Sequence, residues 1–182
     1  MTANRLGLLI GAVFGTIYVV VNAGTLGSPV GLVLQVVGVA ALVGLLVVMF
    51  RSRPASSPTT ARNAVAFSRW YWVVVAAEVV AFFAGTAVLR GPLDLPLAVL
   101  PWITFVVGVH FLGLAKVWRA PSLVWVGAGL AACGVLGLLV AVIGAGEAVV
   151  AVVAGVAPGL LLLGGSWWGT VRGAREPAAT AE

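Results

Sequence analysis

Apolar residues fill this chain in six long runs of about twenty, separated by short stretches rich in glycine, proline or arginine. A helix of that length matches the hydrocarbon core of a bilayer. The pattern therefore predicts spans at about 6–23, 30–50, 70–89, 97–117, 122–143 and 147–168. The turns TLGSP at 25–29, GPLDLP at 91–96 and GAGE at 144–147 supply the breakers between them. Residues 51–69 form the longest polar connection, predicted as a flexible loop, and 170–182 a polar tail. Within the spans, Pro101 predicts a bend near the start of the fourth, and Pro158–Gly159 an interruption of the sixth. Gly11 and Gly15 stand in GxxxG spacing, which suits close helix approach, although glycine filler explains them as well. Gly127, Gly129, Ala132 and Gly134 suit a fifth span at the bundle centre.

Composition sharpens this into a class. With 62% hydrophobic residues, 8% charged residues and a mean hydropathy of +1.19, the chain falls outside the range of soluble domains. The expected fold is all-α: one polytopic domain of six transmembrane helices in 182 residues. The net charge of +5 does not indicate nucleic acid, because the basic residues sit at span ends, where they set topology and meet anionic lipid. A cytoplasmic N-terminus places Arg5, Arg51, Arg53, Arg62, Arg69, Lys116, Arg119, Arg172 and Arg175 inside and only Arg90 outside. Both termini are therefore expected in the cytoplasm, in the cell membrane. Arg5 precedes the first run as in a signal peptide, but the run is too long for an h-region and is taken as a retained span. One cysteine, Cys133, and one histidine, His110, allow neither an intrachain disulfide nor a protein-only zinc site. No cofactor or metal is expected, and nothing in the pattern sets an oligomeric state.

Candidate chemistry centres on Glu78, the acid farthest from a span end. An ionisable group at membrane depth costs about 2.5–3.5 kcal/mol on insertion scales, so it faces a partner or a cavity. Counted along its helix, Glu78 lies about 10 Å from the inner interface. His110, six residues before Lys116 on the next, antiparallel span, lies about 9 Å deep. The two share a layer, although depth alone does not make them face each other. The same topology gathers Trp70, Trp72, Trp118, Trp125, Trp167 and Trp168 at the inner side and leaves Trp102 outside, unlike an anchoring belt with two rims. Tyr71, Glu78, Phe82 and Gly85 follow one helical face. These residues define a candidate cavity with Glu78 and His110 as chemical groups and Tyr71, Trp72, Phe82, Trp118, Trp125 and Trp167 as walls. The competing readings are a structural hydrogen bond for Glu78, a satisfied core histidine, and tryptophans that only anchor. Asp94 and Glu147 fall in outer turns and suit solvated roles. No phosphate loop, serine-triad signature or metal-ligand cluster occurs.

An acid in dry, aromatic surroundings suits protonation of an alkene or epoxide. Apolar surroundings favour the neutral carboxyl, ready to donate. Ring faces stabilise a passing cation by roughly 0.5–2 kcal/mol each, and exclusion of water keeps it from being quenched. A prenyl chain would reach such a site directly from the membrane.

The W-Y-W-x5-E segment, Trp70 to Glu78, on a small all-helical membrane chain resembles the compact bacterial integral-membrane terpene cyclases of indole-sesquiterpenoid, drimentine-type biosynthesis. The segment PWITFVVGVHFLGLA is also similar to one in uncharacterised six-span bacterial membrane proteins. The cyclase resemblance implies proton-initiated cyclisation of a farnesyl chain on an aromatic or diketopiperazine core, without metal or diphosphate ionisation. The absence of a DDxxD-like cluster agrees with it. It implies Glu78 as the acid, with Tyr71, Trp72 and His110 as pocket residues. The partners expected are a hydrophobic prenylated small molecule and membrane lipid. Two other readings stand beside it: a small proton-coupled transporter using Glu78 and His110 as a relay, and a scaffold subunit with no chemistry.

Overall fold

Uninterrupted apolar runs coil because nothing in a lipid interior can satisfy backbone polar groups except the helix itself. The computed structural model describes residues 3–51 and 69–175. Most of the polar 51–69 connection, and the last residues of the expected tail, lie outside the described residues. The elements are α1 Ala3–Ala23, α2 Val30–Arg51, α3 Arg69–Arg90, α4 Val99–Trp118, α5 Pro121–Val142, and then α6 Glu147–Ala151 and α7 Ala157–Arg175, joined by a π-helical turn, Val152–Val156. Counting α6, the π-turn and α7 as one, six helices among the described residues are long and apolar enough to cross a membrane. The all-α, six-helix plan is therefore present.

Local chemistry sets the ends. Arg119 adopts a left-handed backbone (φ 50°) and donates its N–H to the Ala115 carbonyl, which closes α4. Pro121 then opens α5, where its missing N–H has no intrahelical partner to lose. Pro101 lies in the first turn of α4, buried against Gly137, so no interior hydrogen bond is lost at the expected bend. The last helix runs on to Arg175, past the expected end near residue 168. Its polar residues are held within the helix: Thr170 donates to the Ser166 carbonyl at 2.8 Å, and the Arg172 guanidinium lies 4.4 Å from the Trp168 ring centre.

Between lipid-soluble helices, close packing and hydrogen bonds drive association, because lipid tails are as apolar as leucine. Small residues therefore decide which pairs meet. The GxxxG pair of α1 is a contact surface: a Cβ on Gly15 would stand 2.7 Å from the Gly159 carbonyl oxygen, and one on Gly159 equally close to that of Gly15. Gly11 faces Ser166. On α5, Gly127, Gly134 and Gly137 face α4, against Gly108, Phe105 and Pro101. Gly129 meets Leu161 of α7, whereas Ala132 is exposed. The main buried cluster, Ala12, Val19, Leu45, Met49 and Leu163, joins α1, α2 and α7.

The Pro158 region gives the expected interruption a specific form. An α-helix would give the Ala154 carbonyl to the N–H of residue 158, which proline lacks. The chain answers by widening into a π-turn, with Ala157 N–H reaching back to the Val152 carbonyl, and the helix continues. The vacant Ala154 carbonyl is taken by the Thr104 hydroxyl of α4 at 2.6 Å, and both residues are buried. The α-helical pattern is thus interrupted before the proline, as expected, while the span itself continues, and the freed carbonyl ties the π-turn to α4.

Candidate active site: the seam between α3 and α4

Helix α3 packs chiefly on α4 and the turn before it, and none of its residues is fully buried. Its partly buried positions are Tyr71, Val74, Val75, Glu78, Ala81, Phe82, Gly85, Thr86 and Leu89, the spacing of a single helical stripe. Everything between them is open on the side away from the bundle. Glu78 has an inward face because the stripe passes through it.

Three contacts fix the antiparallel register. Near one end, Tyr71 stacks on Trp118 with ring centres 6.2 Å apart and planes 14° from parallel. One turn on, a Cβ at Gly113 would stand 3.0 Å from Val74 Cγ1. Toward the other end, Trp102 fills the notch left by Gly85 and donates its indole N–H to the Ala81 carbonyl at 3.0 Å. Between these pins, Glu78 and His110 meet, with Nδ1 2.9 Å from Oε2. The equal depths counted along two separate spans thus correspond to an actual contact.

The pair is in polar contact but not in line: the Nδ1 position lacks a partner that satisfies hydrogen-bond direction. Such misalignment is common in unliganded catalytic pairs, which tighten when substrate arrives. Glu78 keeps 25% and His110 15% of its side-chain surface accessible, enough for a small approach from the lipid side. Chemically the pair can hold one proton between a carboxyl and an imidazole, and release it toward a neighbour.

The aromatic wall is only partly assembled. Tyr71 and Trp118 stand together one heptad from the pair, and Phe82 lies one turn beyond Glu78 on the inner face. Trp72 touches Tyr71 edge-on but is exposed. Trp125 is 81% exposed on α5 and faces away from the protein. Trp167 serves a different interface, donating its indole N–H to the Ala41 carbonyl of α2 at 3.0 Å and covering Gly44. The three were grouped with the site by depth, and depth does not report the direction in which a residue leaves its helix. We expect Trp125→Ala to leave the melting temperature close to wild type, within about 0.5 kcal/mol in stability, since no interior contact is removed. Thermal unfolding in detergent measures this.

Two polar groups that the pattern did not mark lie half-buried on α1, Tyr18 and Asn22. Asn22, one turn along, packs against Gly155 of the π-turn and donates to the Tyr18 carbonyl at 2.8 Å. Pro158 is the signal for the Thr104 contact, because a proline inside a span leaves a carbonyl that a hydroxyl can answer. Among the described residues no group of three or more metal-ligating side chains occurs. Comparison with known proteins finds no matching family model, no matching curated protein and no matching solved structure.

Proposed function

We propose that the protein is a membrane-embedded terpene cyclase that protonates a prenyl chain and guides the resulting cation to a ring. The observation that carries this reading is the 2.9 Å contact between Glu78 and His110 on a seam whose helix, α3, leaves its other side open. Glu78 delivers its proton to the terminal alkene, and the new C–H bond leaves a tertiary cation. Internal alkenes attack in turn. The final cation loses a proton to His110, which returns it to Glu78, so no proton is consumed overall. The stacked pair Tyr71 and Trp118, and Phe82, offer ring faces to the migrating charge. The substrate enters sideways from the lipid. By the positive-inside rule both termini are cytoplasmic, and the site lies toward the inner leaflet.

The test is the protein in vesicles suspended in D2O and supplied with a farnesylated indole. The expected product is a cyclic isomer carrying one deuteron on carbon, because Glu78 exchanges with solvent between turnovers. Absence of product together with solute flux driven by a pH gradient would replace this reading by a proton-coupled transporter. Inertness in both assays, with a tightly co-purifying partner, would leave a scaffold.

A further inference from the structure

Helix α7 continues past residue 168, and the Arg172 guanidinium folds back over the Trp168 indole, 4.4 Å from the ring centre. Both residues are exposed, Trp168 to 63%. A guanidinium stacked on a ring uses one face only, and the N–H groups along its edge remain available for the bidentate bonds that suit a phosphate. Its height fits as well. The four residues from Trp168 to Arg172 span about 6 Å of helix, and the headgroup layer of a bilayer is roughly 5–8 Å thick.

Leu160, Gly164, Trp168 and Arg172 form one row at four-residue spacing, exposed throughout. A Cβ at Gly164 would meet nothing within 4 Å, so the row has a gap one turn beneath the indole. From Arg172 to Leu160 the helix covers about 18 Å, close to the depth of one leaflet. Alongside, Gly165 faces Val126 of α5, and counting from that contact brings the exposed Arg119 of the α4–α5 turn to the level of Arg172. Among the described residues no carboxylate stands at this end of the bundle. Asp94 and Glu147 lie in the turns at the opposite end, and Glu78 meets His110 in the α3–α4 seam.

We propose that this end of α7 is the binding site of one anionic phospholipid. Arg172, aimed by Trp168, takes the phosphate, and an acyl chain lies along Gly164 and Leu160. A zwitterionic headgroup is disfavoured, because its ammonium would share the space with Arg172 and Arg119. Any basic membrane surface attracts anionic lipid diffusely, whereas this site depends on one stacked pair rather than on total charge. None of the four residues in the row belongs to the α3–α4 seam, so lipid binding here is independent of any chemistry at Glu78.

The full chain is reconstituted in nanodiscs of equal phosphatidylglycerol and phosphatidylcholine, and the lipid retained on release is counted by native mass spectrometry. The wild type is expected to keep one phosphatidylglycerol in preference to phosphatidylcholine. Arg172→Ala should lower that retention about tenfold or more, the contribution of a charge-assisted hydrogen bond, and Trp168→Ala about two- to fivefold, that of an exposed cation–π pair. Arg51→Ala removes one charge from the same end of the bundle and should change retention little. An equal fall in Arg172→Ala and Arg51→Ala reveals a diffuse field only and overturns the proposal, as does equal retention of the two lipids by the wild type. Glycerol 3-phosphate carries the same phosphate without acyl chains; if it displaces the lipid at matching concentration, the site takes a soluble anion and the lipid assignment falls. Should Arg172→Ala fail to insert, Trp168→Ala against Arg51→Ala decides in the same way.

Discussion

Glu78→Gln is expected to leave a folded, membrane-inserted protein whose product formation falls by about 10²–10⁴-fold, the range that a single general acid contributes. The amide matches the carboxyl in size, keeps the inward stripe of α3 filled, and still offers a hydrogen-bonding group to His110 at the same position. It has no proton to give to carbon. Glu78→Ala is a poorer test, since it removes the polar contact to His110 and vacates the space beside it, so a loss of turnover could come from packing as well as from chemistry. A melting curve near wild type with turnover lost separates chemistry from folding. Unchanged turnover removes Glu78 from the mechanism and, with it, the proposed cyclase.

The contact behind that prediction was half legible in the chain. Span lengths, and the glycine and proline breakers between them, are local properties: the second to fifth spans fall within about two residues of their expected bounds, the usual scatter of helix ends, and the first helix starts at Ala3 rather than near residue 6. Depth is also local, because it needs only a count from the nearest end, and that count placed Glu78 and His110 in one layer. Azimuth is not local. It emerged correctly on α3, where Tyr71, Glu78, Phe82 and Gly85 all lie on the packed stripe, because apolar spacing and a lone acid marked one face. On α5, apolar residues lie all round and nothing in the pattern distinguishes the lipid side of Trp125 from the protein side. The Thr104–Ala154 bond was harder still, since it joins residues fifty apart in the chain and its cause is the N–H that Pro158 lacks. The tail residues read as polar end matter because their hydroxyl and guanidinium partners, the Ser166 carbonyl and the Trp168 ring, become neighbours only once the helix continues.

What holds His110 in place is the crossing of α4 on α5, and Gly108→Val tests it. A Cβ at residue 108 would fall on the backbone nitrogen of Ala131, within 2.8 Å of its Cα and 2.9 Å of the Gly127 carbonyl oxygen. These are backbone atoms, so no side chain can turn aside and the helices must separate. Overpacking a well-fitted contact costs about 1–3 kcal/mol, and more where backbone must move. In lipid there is no apolar burial to offset it. We expect a lowered melting temperature in detergent and a loss of turnover beyond what the unfolded fraction explains. His110 stands two residues from the forced contact, and a shift of about 1 Å at a reacting group can cost 10²-fold. Gly113→Ala is the graded control: its Cβ would stand 3.0 Å from Val74 Cγ1, the end of a side chain, and a small rotation relieves it. Gly173→Ala, with nothing within 4 Å, should change neither quantity. If Gly108→Val melts and turns over like the wild type, α4 is held in register by its contacts with α3, Tyr71–Trp118, Val74–Gly113 and Trp102–Ala81, and the bundle behind His110 has no part in aiming it.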